Sequence, residues 1–247
     1  MSDCPIIKTA GIIIIGNEIL SGKVQDSNSF YLVSELRALG VNVMRISVIP
    51  DDVDTIGREC CSFSSEFDYV FTSGGVGPTH DDVTIAGIAR GFGVKVVTHP
   101  ALEERFRTRY ADTLNDSILK MAEVPEGAEV VDFRDSRFPL VVFRNVFIFP
   151  GIPKYLREKF ALIRERFRCS AIFLKKIFLD AEESQIAAIL NTVVTGNADV
   201  SFGSYPVLDN PEYRIVITAE SRDEGALKKA VGKILTELPE RIVVKAE

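Results

Sequence analysis

The sequence predicts an α/β protein: a mostly parallel sheet with helices on both faces, followed by a smaller α+β domain. Three observations predict it. Short continuous apolar runs such as Ala10 to Ile15 read as strands buried on both faces. These runs alternate with segments whose apolar residues recur at helical spacing, the pattern βαβ units produce. After Cys169 the order becomes βαββαβ, which suits a split βαβ domain and places the boundary between residues 1–169 and 170–247.

The elements follow in order. Ala10 to Ile15 stops at Gly16, and Ser29 to Leu39 carries Leu32, Leu36 and Leu39 on one helical face before Gly40. Val41 to Ile49 is a strand closed by Pro50-Asp51-Asp52, and Val53 to Phe67 is helical. Asp68 to Thr72 is a strand opening into Ser73-Gly74-Gly75-Val76-Gly77-Pro78, and a helix runs from Val83 to Phe92 with its start near Asp81 or Asp82. His99 to Phe138 is irregular and charged, an excursion of helix plus a small β element. Asn145 to Phe149 is a strand broken by Pro150-Gly151-Ile152-Pro153, with a helix from Tyr155 to Phe167. In the second domain, strands at Ile172–Leu179, Val200–Tyr205, Tyr213–Ala219 and Ile242–Val244 enclose helices at Glu182–Val194 and Asp223–Leu238.

Composition narrows the function. The 247 residues are 46% hydrophobic and 26% charged, enough for a packed core. A net charge of −6 with no basic stripe argues against nucleic-acid binding, because no counterion release is gained. The start Met1-Ser2-Asp3-Cys4-Pro5 does not read as a signal peptide, and Ile12 to Ile15 is too short to span a bilayer. Cys4, Cys60, Cys61 and Cys169 form no C-x-x-C pair, and two histidines exclude a multi-histidine metal site. Reduced thiols in a cytoplasmic protein are expected.

In open α/β sheets, ligands bind outside the carboxyl ends of the strands. Four unusual loops fall there: Gly16 to Asn28, Pro50 to Asp52, Ser73 to Thr84, and Pro150 to Pro153. The third is the most informative. Gly74, Gly75 and Gly77 let a backbone approach a ligand and turn N–H groups toward an anion. Asp82 is either a helix N-cap or, beside Asp81, a carboxylate that needs a divalent cation to coexist with phosphate; the adjacent pair favours the cation. Asp26 either caps the helix after it or contacts metal. Asp51 and Asp52 are solvated turn residues unless their position at a strand end makes them functional. His80 serves proton transfer, phosphate contact or a structural hydrogen bond. The first loop is not a P-loop, since Gly at Ser21 and Ser or Thr after Lys23 would be required.

Several motifs together resemble the molybdopterin-binding-like fold family. They are Ser21-Gly22 with Asp26, Ile49-Pro50-Asp51-Asp52, the Gly-Gly-x-Gly loop ending in Asp82-Val83-Thr84, and Pro150-Gly151-x-Pro153. Gly16 to Gly22, Gly77 to Thr84, Phe149 to Pro153 and Gly203-Ser204-Tyr205-Pro206 look closest to CinA-type proteins and to the N-terminal domain of eukaryotic FAD synthases. The resemblance implies a three-layer α/β/α domain, a small α+β domain, and divalent-metal-dependent hydrolysis of the pyrophosphate in FAD or ADP-ribose. It assigns catalysis to Asp51 and Asp82. Val76 stands where pterin-adenylylating relatives carry Thr, which argues against that activity. Neither the deamidase domain of many CinA proteins nor the adenylyl-transfer domain of FAD synthases is expected.

The enzyme reading therefore takes Mg²⁺, Mn²⁺ or Co²⁺ on Asp82 with Asp51, Asp26 or Asp81. Ligand contacts are expected from Ser21, Gly22, Asn28, Ser73, Gly74, Gly75, Gly77, Pro78, Thr79, His80 and Gly151. Tyr205 either closes over a base or flavin or forms a plain turn before Pro206. The rivals are a non-catalytic molybdopterin- or nucleotide-binding module, and an interaction protein on an inherited fold. Partners are a dinucleotide or pterin, with neither nucleic acid nor membrane, and self-association into a dimer or trimer is expected.

Overall fold

A computed structural model describes residues 7–131 and 139–247. The described residues form two compact units that divide near Cys169, one within residues 7–169 and the other residues 170–247.

In the larger unit, β1 (Thr9–Ile15) leads through α1 (Asn17–Leu20) and α2 (Asn28–Ala38) to β2 (Asn42–Ile49). Then come α3 (Val53–Glu66), β3 (Tyr69–Ser73) and α4 (Thr84–Gly91). An excursion follows: β4 (Val96–Thr98), α5 (Pro100–Arg109), α6 (Asp116–Lys120) and β5 (Glu123–Pro125). β6 (Glu129–Val131), β7 (Leu140–Phe143), β8 (Val146–Phe149) and α7 (Pro153–Ile163) complete the unit. Part of the expected excursion, residues 132–138, lies outside the described residues.

The main sheet has the order β2-β1-β3-β8-β7-β6. β2, β1, β3 and β8 run parallel, while β6 and β7 are antiparallel additions. The apolar run of β1 is buried on both sides, as its sequence requires. Ile12 and Ile14 pack with Leu32 and Leu36 of α2 and Phe160 of α7, whereas Ile13 and Ile15 pack with Ile56 and Phe63 of α3 and Ile88 of α4. Alternate residues thus feed two cores, and the result is three layers. Asn145 anchors the start of β8, its Nδ2 donating to the carbonyls of Ser64 and Phe67 at 3.1 and 2.9 Å. The helices α3 and α4 touch through glycine: a Cβ on Gly57 would lie 2.7 Å from the Gly87 carbonyl.

β4 and β5 pair into a separate two-stranded sheet, and Leu102, Phe106, Ala122 and Val124 form a small core beneath the excursion. Strand β7 was not anticipated from sequence. Its residues Leu140 to Phe143 form a hairpin with β8 through Arg144, whose φ of 53° is left-handed.

The smaller unit contains β9 (Phe173–Leu179), α8 (Glu183–Thr195), β10 (Ser201–Pro206), β11 (Ile215–Ser221), α9 (Glu224–Glu237) and β12 (Val243–Ala246). Its sheet order is β10-β11-β9-β12, with every pair antiparallel, which is the split βαβ arrangement. The period-two burial of β11 places Ile215, Ile217 and Ala219 in the cores beside α8 and α9. Glu182 and Gln185 form a capping box on α8, and Asp223 caps α9 by accepting from the Ala226 N–H at 2.9 Å. Among the described residues no helix is long and apolar enough to cross a membrane.

Candidate functional site

Strand order reverses at β1, with β2 on one side and β3 on the other. A cavity of about 570 Å³ lies beyond the carboxyl ends of β3 and β8, bordered on the β1 side by Glu18. Glu18, Gly75, Gly77, Pro78, Asp82 and Gly151 contribute polar loop surface. Apolar lining comes from Leu102, Phe106, Met121, Val141, Ile148 and Tyr155. A large apolar cavity with a few polar groups has the size and character of a small-molecule site.

The glycine loop is built by close packing. Gly74 and Gly75 have φ of 117° and 63°, where L side chains are strained. A Cβ on Gly74 would overlap the Ile15 carbonyl, and one on Gly75 would overlap Thr84 Oγ1. Thr84, fully buried, donates its hydroxyl to the Gly74 carbonyl at 2.9 Å. The expected phosphate cradle needs one correction. Gly74 donates its N–H to the Phe149 carbonyl at 3.1 Å, so that amide ties β3 to β8 instead of facing an anion.

Asp82 lines the cavity in a fixed pose. Its Oδ2 accepts from the Thr79 N–H at 2.8 Å and from the Thr79 hydroxyl at 2.6 Å. A Cβ on Gly77 would sit 2.6 Å from the same oxygen, so the carboxylate lies directly over Gly77. Helix α4 begins at Thr84, and its N-cap Val83 makes no side-chain cap bond. Neither Asp81 nor Asp82 therefore caps it, contrary to that alternative. Lys120 Nζ donates to the carbonyls of Thr79 and Asp82 at 3.2 and 3.1 Å, clamping the loop from α6. Thr79, His80 and Asp81 do not line the cavity; the His80 side chain is 98% exposed and lies 3.9 Å from Asp81.

Asp51 also lies outside the cavity lining. It accepts from the Asn17 N–H at 2.8 Å and so holds the loop that presents Glu18. Asp52 caps α3 through the Thr55 N–H at 2.8 Å, and hydrogen bonds from Thr55 hold its carboxyl below the usual range. Asp26 accepts from the N–H groups of Asn28 and Ser29 at 2.9 and 3.1 Å and from the Ser29 hydroxyl, which realises the capping alternative at α2. Ser21 and Gly22 form the exposed turn after α1, away from either cavity.

A smaller cavity of about 60 Å³ adjoins the first; Glu18, Gly151 and Pro153 border both. Asp26, Asn28 and Ser73 line it as well. Asn28 Nδ2 donates to Ser73 Oγ at 2.9 Å and to the Gly151 carbonyl at 2.7 Å. The Ser73 hydroxyl reaches the Pro150 carbonyl at 3.3 Å. These contacts knit three loops together, and Asn28 Oδ1 is buried with no hydrogen-bond partner.

Among the described residues no three His, Cys, Asp or Glu side chains are grouped to hold a metal ion. The four aspartates expected to share a cation, Asp26, Asp51, Asp81 and Asp82, are not brought into one cage. The carboxylates that line the larger cavity are Glu18, Asp82 and Glu123.

Sequence reasoning missed the contribution of α7 and the excursion. Tyr155 and Lys159 lie four residues apart, on one helical face, and both line the cavity. Lys159 is 3% exposed and donates Nζ to the Pro139 carbonyl at 2.8 Å. Burial, with Arg105 nearby, pushes its pKa down to about 8. The spacing after Pro153 was the available signal; its burial was not visible. Tyr205 belongs to the smaller unit, on strand β10, opposite Val216, so the plain-turn alternative fails. Its ring is 2.7 Å from where a Cβ on Gly203 would stand, and its side chain is exposed.

Residues 11–168 match the family model described as a probable molybdopterin binding domain, and residues 171–247 match that of the FAD synthase middle domain. A protein of Archaeoglobus fulgidus is 37% identical over 220 residues, covering 89% of this chain and 93% of that one. The "Probable FAD synthase" of Caenorhabditis briggsae is 34% identical, over 94% of this chain and 49% of its own. The chain thus spans about half the length of that relative. The crystal structure of CinA from Thermoplasma acidophilum superposes with a TM-score of 0.61 at 29% identity, covering 65% of this chain and 98% of that one.

Proposed function

The chain belongs to the molybdopterin-binding-domain family, and from that premise we propose that it binds a phosphate-bearing nucleotide cofactor in the larger cavity and hydrolyses its pyrophosphate bond with a divalent cation. One observation carries this reading. A fixed carboxylate, Asp82, lies over Gly77 at the edge of a cavity whose remaining lining is largely apolar. Such a cavity accommodates a flat ring, while its acidic rim suits a cation-bridged diphosphate. The relatives named FAD synthase point to FAD; ADP-ribose shares the same anhydride.

Asp82 and Glu18 are the residues that would hold the cation, with Asp51 keeping the Glu18 loop in place through Asn17. When bound, a divalent cation would supply charge neutralisation and Lewis-acid polarisation of the phosphate. Gly75 and Gly77 give the ligand close access to backbone, and Lys120 keeps the loop from relaxing. Hydrolysis adds one water across the P–O–P link: FAD yields FMN and AMP, and ADP-ribose yields AMP and ribose 5-phosphate.

The test is chromatography of FAD and ADP-ribose after incubation with Mg²⁺, Mn²⁺ or Co²⁺, with and without chelator. Metal-dependent release of mononucleotides is expected; no mononucleotide with any of the ions rejects the reading. A second reading, non-catalytic binding of a pterin or nucleotide, is favoured by the lack of a three-ligand metal cluster among the described residues. Tight binding by calorimetry without turnover would select it.

Self-association remains part of the proposal. Met44, Ile46 and Val48 are exposed at alternate positions of edge strand β2, and Phe30 is 77% exposed. Sedimentation velocity at micromolar concentration tests for the dimer or trimer; a monomer throughout removes it.

A further inference from the structure

We propose that the smaller cavity is a hydroxyl pocket for the ribose of the bound nucleotide, with Asn28 Oδ1 as the acceptor that selects ribose over deoxyribose. The inference rests on the proposed function and names the part of the ligand that the second cavity reads.

The Asn28 carboxamide is used on one arm only. Its Nδ2 is spent on Ser73 Oγ and the Gly151 carbonyl, at 2.9 and 2.7 Å. Those two bonds fix the planar group, and so fix Oδ1 as well. Asn28 is 7% exposed, and Oδ1 is buried without a partner. Exchanging the oxygen and nitrogen gives no relief, because an oxygen would then face the Gly151 carbonyl. Ser73 cannot supply the missing donor: its hydroxyl accepts from Asn28 and reaches the Pro150 carbonyl at 3.3 Å. Native proteins leave few buried polar atoms unpaired, so a stranded acceptor calls for a donor.

The cavity that Asn28 lines limits what that donor can be. At about 60 Å³ it suits hydroxyl-sized groups and is far too small for a purine or flavin ring. Ile14, Ile15, Ile19 and Val24 give it apolar walls. The two carboxylates that line it, Glu18 and Asp26, are acceptors like Oδ1. A phosphate oxygen gains nothing among acceptors, whereas a sugar hydroxyl can donate to them. Glu18, Gly151 and Pro153 border both cavities, so a phosphate held at the Glu18 side of the larger one brings its own sugar to the smaller one. AMP is the half that FAD and ADP-ribose share.

Calorimetry of AMP, 2′-deoxy-AMP and 3′-deoxy-AMP with Mg²⁺ tests this on wild type, Asn28→Ala and Val24→Phe, with circular dichroism confirming folding. Val24 is half exposed, and a phenyl group there narrows the cavity while leaving Asn28 intact. Wild type should bind AMP about tenfold or more tightly than at least one deoxynucleotide, because the analogue leaves the acceptor unpaired. In Asn28→Ala and in Val24→Phe that ratio should shrink to within about twofold. Loosened loops alone would weaken all three ligands alike and leave the ratio intact, so the ratio separates recognition from loop spacing. Wild type binding all three ligands within about twofold overturns the assignment, Oδ1 then being served by water, and leaves the proposed function standing. A wild-type ratio retained in folded Asn28→Ala also overturns it. If Asn28→Ala does not fold, Val24→Phe decides: an unchanged ratio overturns the assignment. If wild type binds neither AMP nor ADP-ribose, the proposed function falls first and this inference with it.

Discussion

Asn28 and Gly151 are joined directly: the Asn28 carboxamide donates to the Gly151 carbonyl at 2.7 Å across 123 positions of sequence. The same Nδ2 reaches Ser73, so one side chain sets the spacing of the loops after β1, β3 and β8. Removing a buried donor that serves two acceptors costs about 1–3 kcal/mol. Asn28→Ala should lower stability by that amount in urea titration and weaken ligand binding. Asn28→Asp should be worse above the carboxyl pKa, because a carboxylate would face the Gly151 oxygen. Unchanged midpoints in both variants would remove this loop-spacing role.

Gly77 lies under the Asp82 carboxylate, and a methyl group there would sit 2.6 Å from Oδ2. Its φ is not left-handed, so alanine fits the backbone. Gly77→Ala should therefore displace the carboxylate and abolish most turnover while changing stability by less than about 1 kcal/mol. Retained turnover with cation dependence intact would show that the Asp82 pose does not matter.

Gly57 and Gly91 make the crossing of α3 over α4 possible, since a Cβ on either would strike backbone of the other helix. Gly57→Ala should destabilise by about 1–3 kcal/mol through forced separation of the helices. Neither residue lines the cavity. Variants that remain folded should keep near-normal ligand affinity, which thermal melts with and without ligand can check.

Lys159 makes stability depend on pH. Its folded pKa, about 8, lies below the ordinary lysine value of 10.5, so the unfolded chain binds more protons between them. Stability should rise with pH across that window and show the full burial cost below it. The denaturant midpoint of wild type should rise relative to that of Lys159→Met from pH 8 to 10.5. A constant difference would mean that the ammonium is not perturbed.

Cys60 is buried, and burial pushes its thiol up to about 12. It should resist alkylation in the native protein at pH 8, because the thiolate is the nucleophile. Mass mapping after brief iodoacetamide treatment should find Cys61, which is less buried, modified before Cys60.

Much of the architecture was legible in the sequence because it follows from local periodicity. The doubly buried β1, the helices that follow it, and the βαββαβ order after Cys169 all write their burial into residue spacing. Strand β7 was missed because its position depends on pairing with β8, which no local pattern records. The loops were also legible, as glycines and aspartates at strand ends. Their division of labour was not. Asp26, Asp52 and the amide of Gly74 satisfy backbone geometry, while Asp82 faces the cavity, and the three aspartates look alike in sequence. Lys159 could be read only as one helical lysine among many, since its burial and its bond to Pro139 depend on chain distant in sequence. The sequence by itself determined the strands, the helices and the places where a ligand can bind. Tertiary structure decided which polar groups are left for that ligand, because hydrogen bonding and desolvation depend on neighbours distant along the chain.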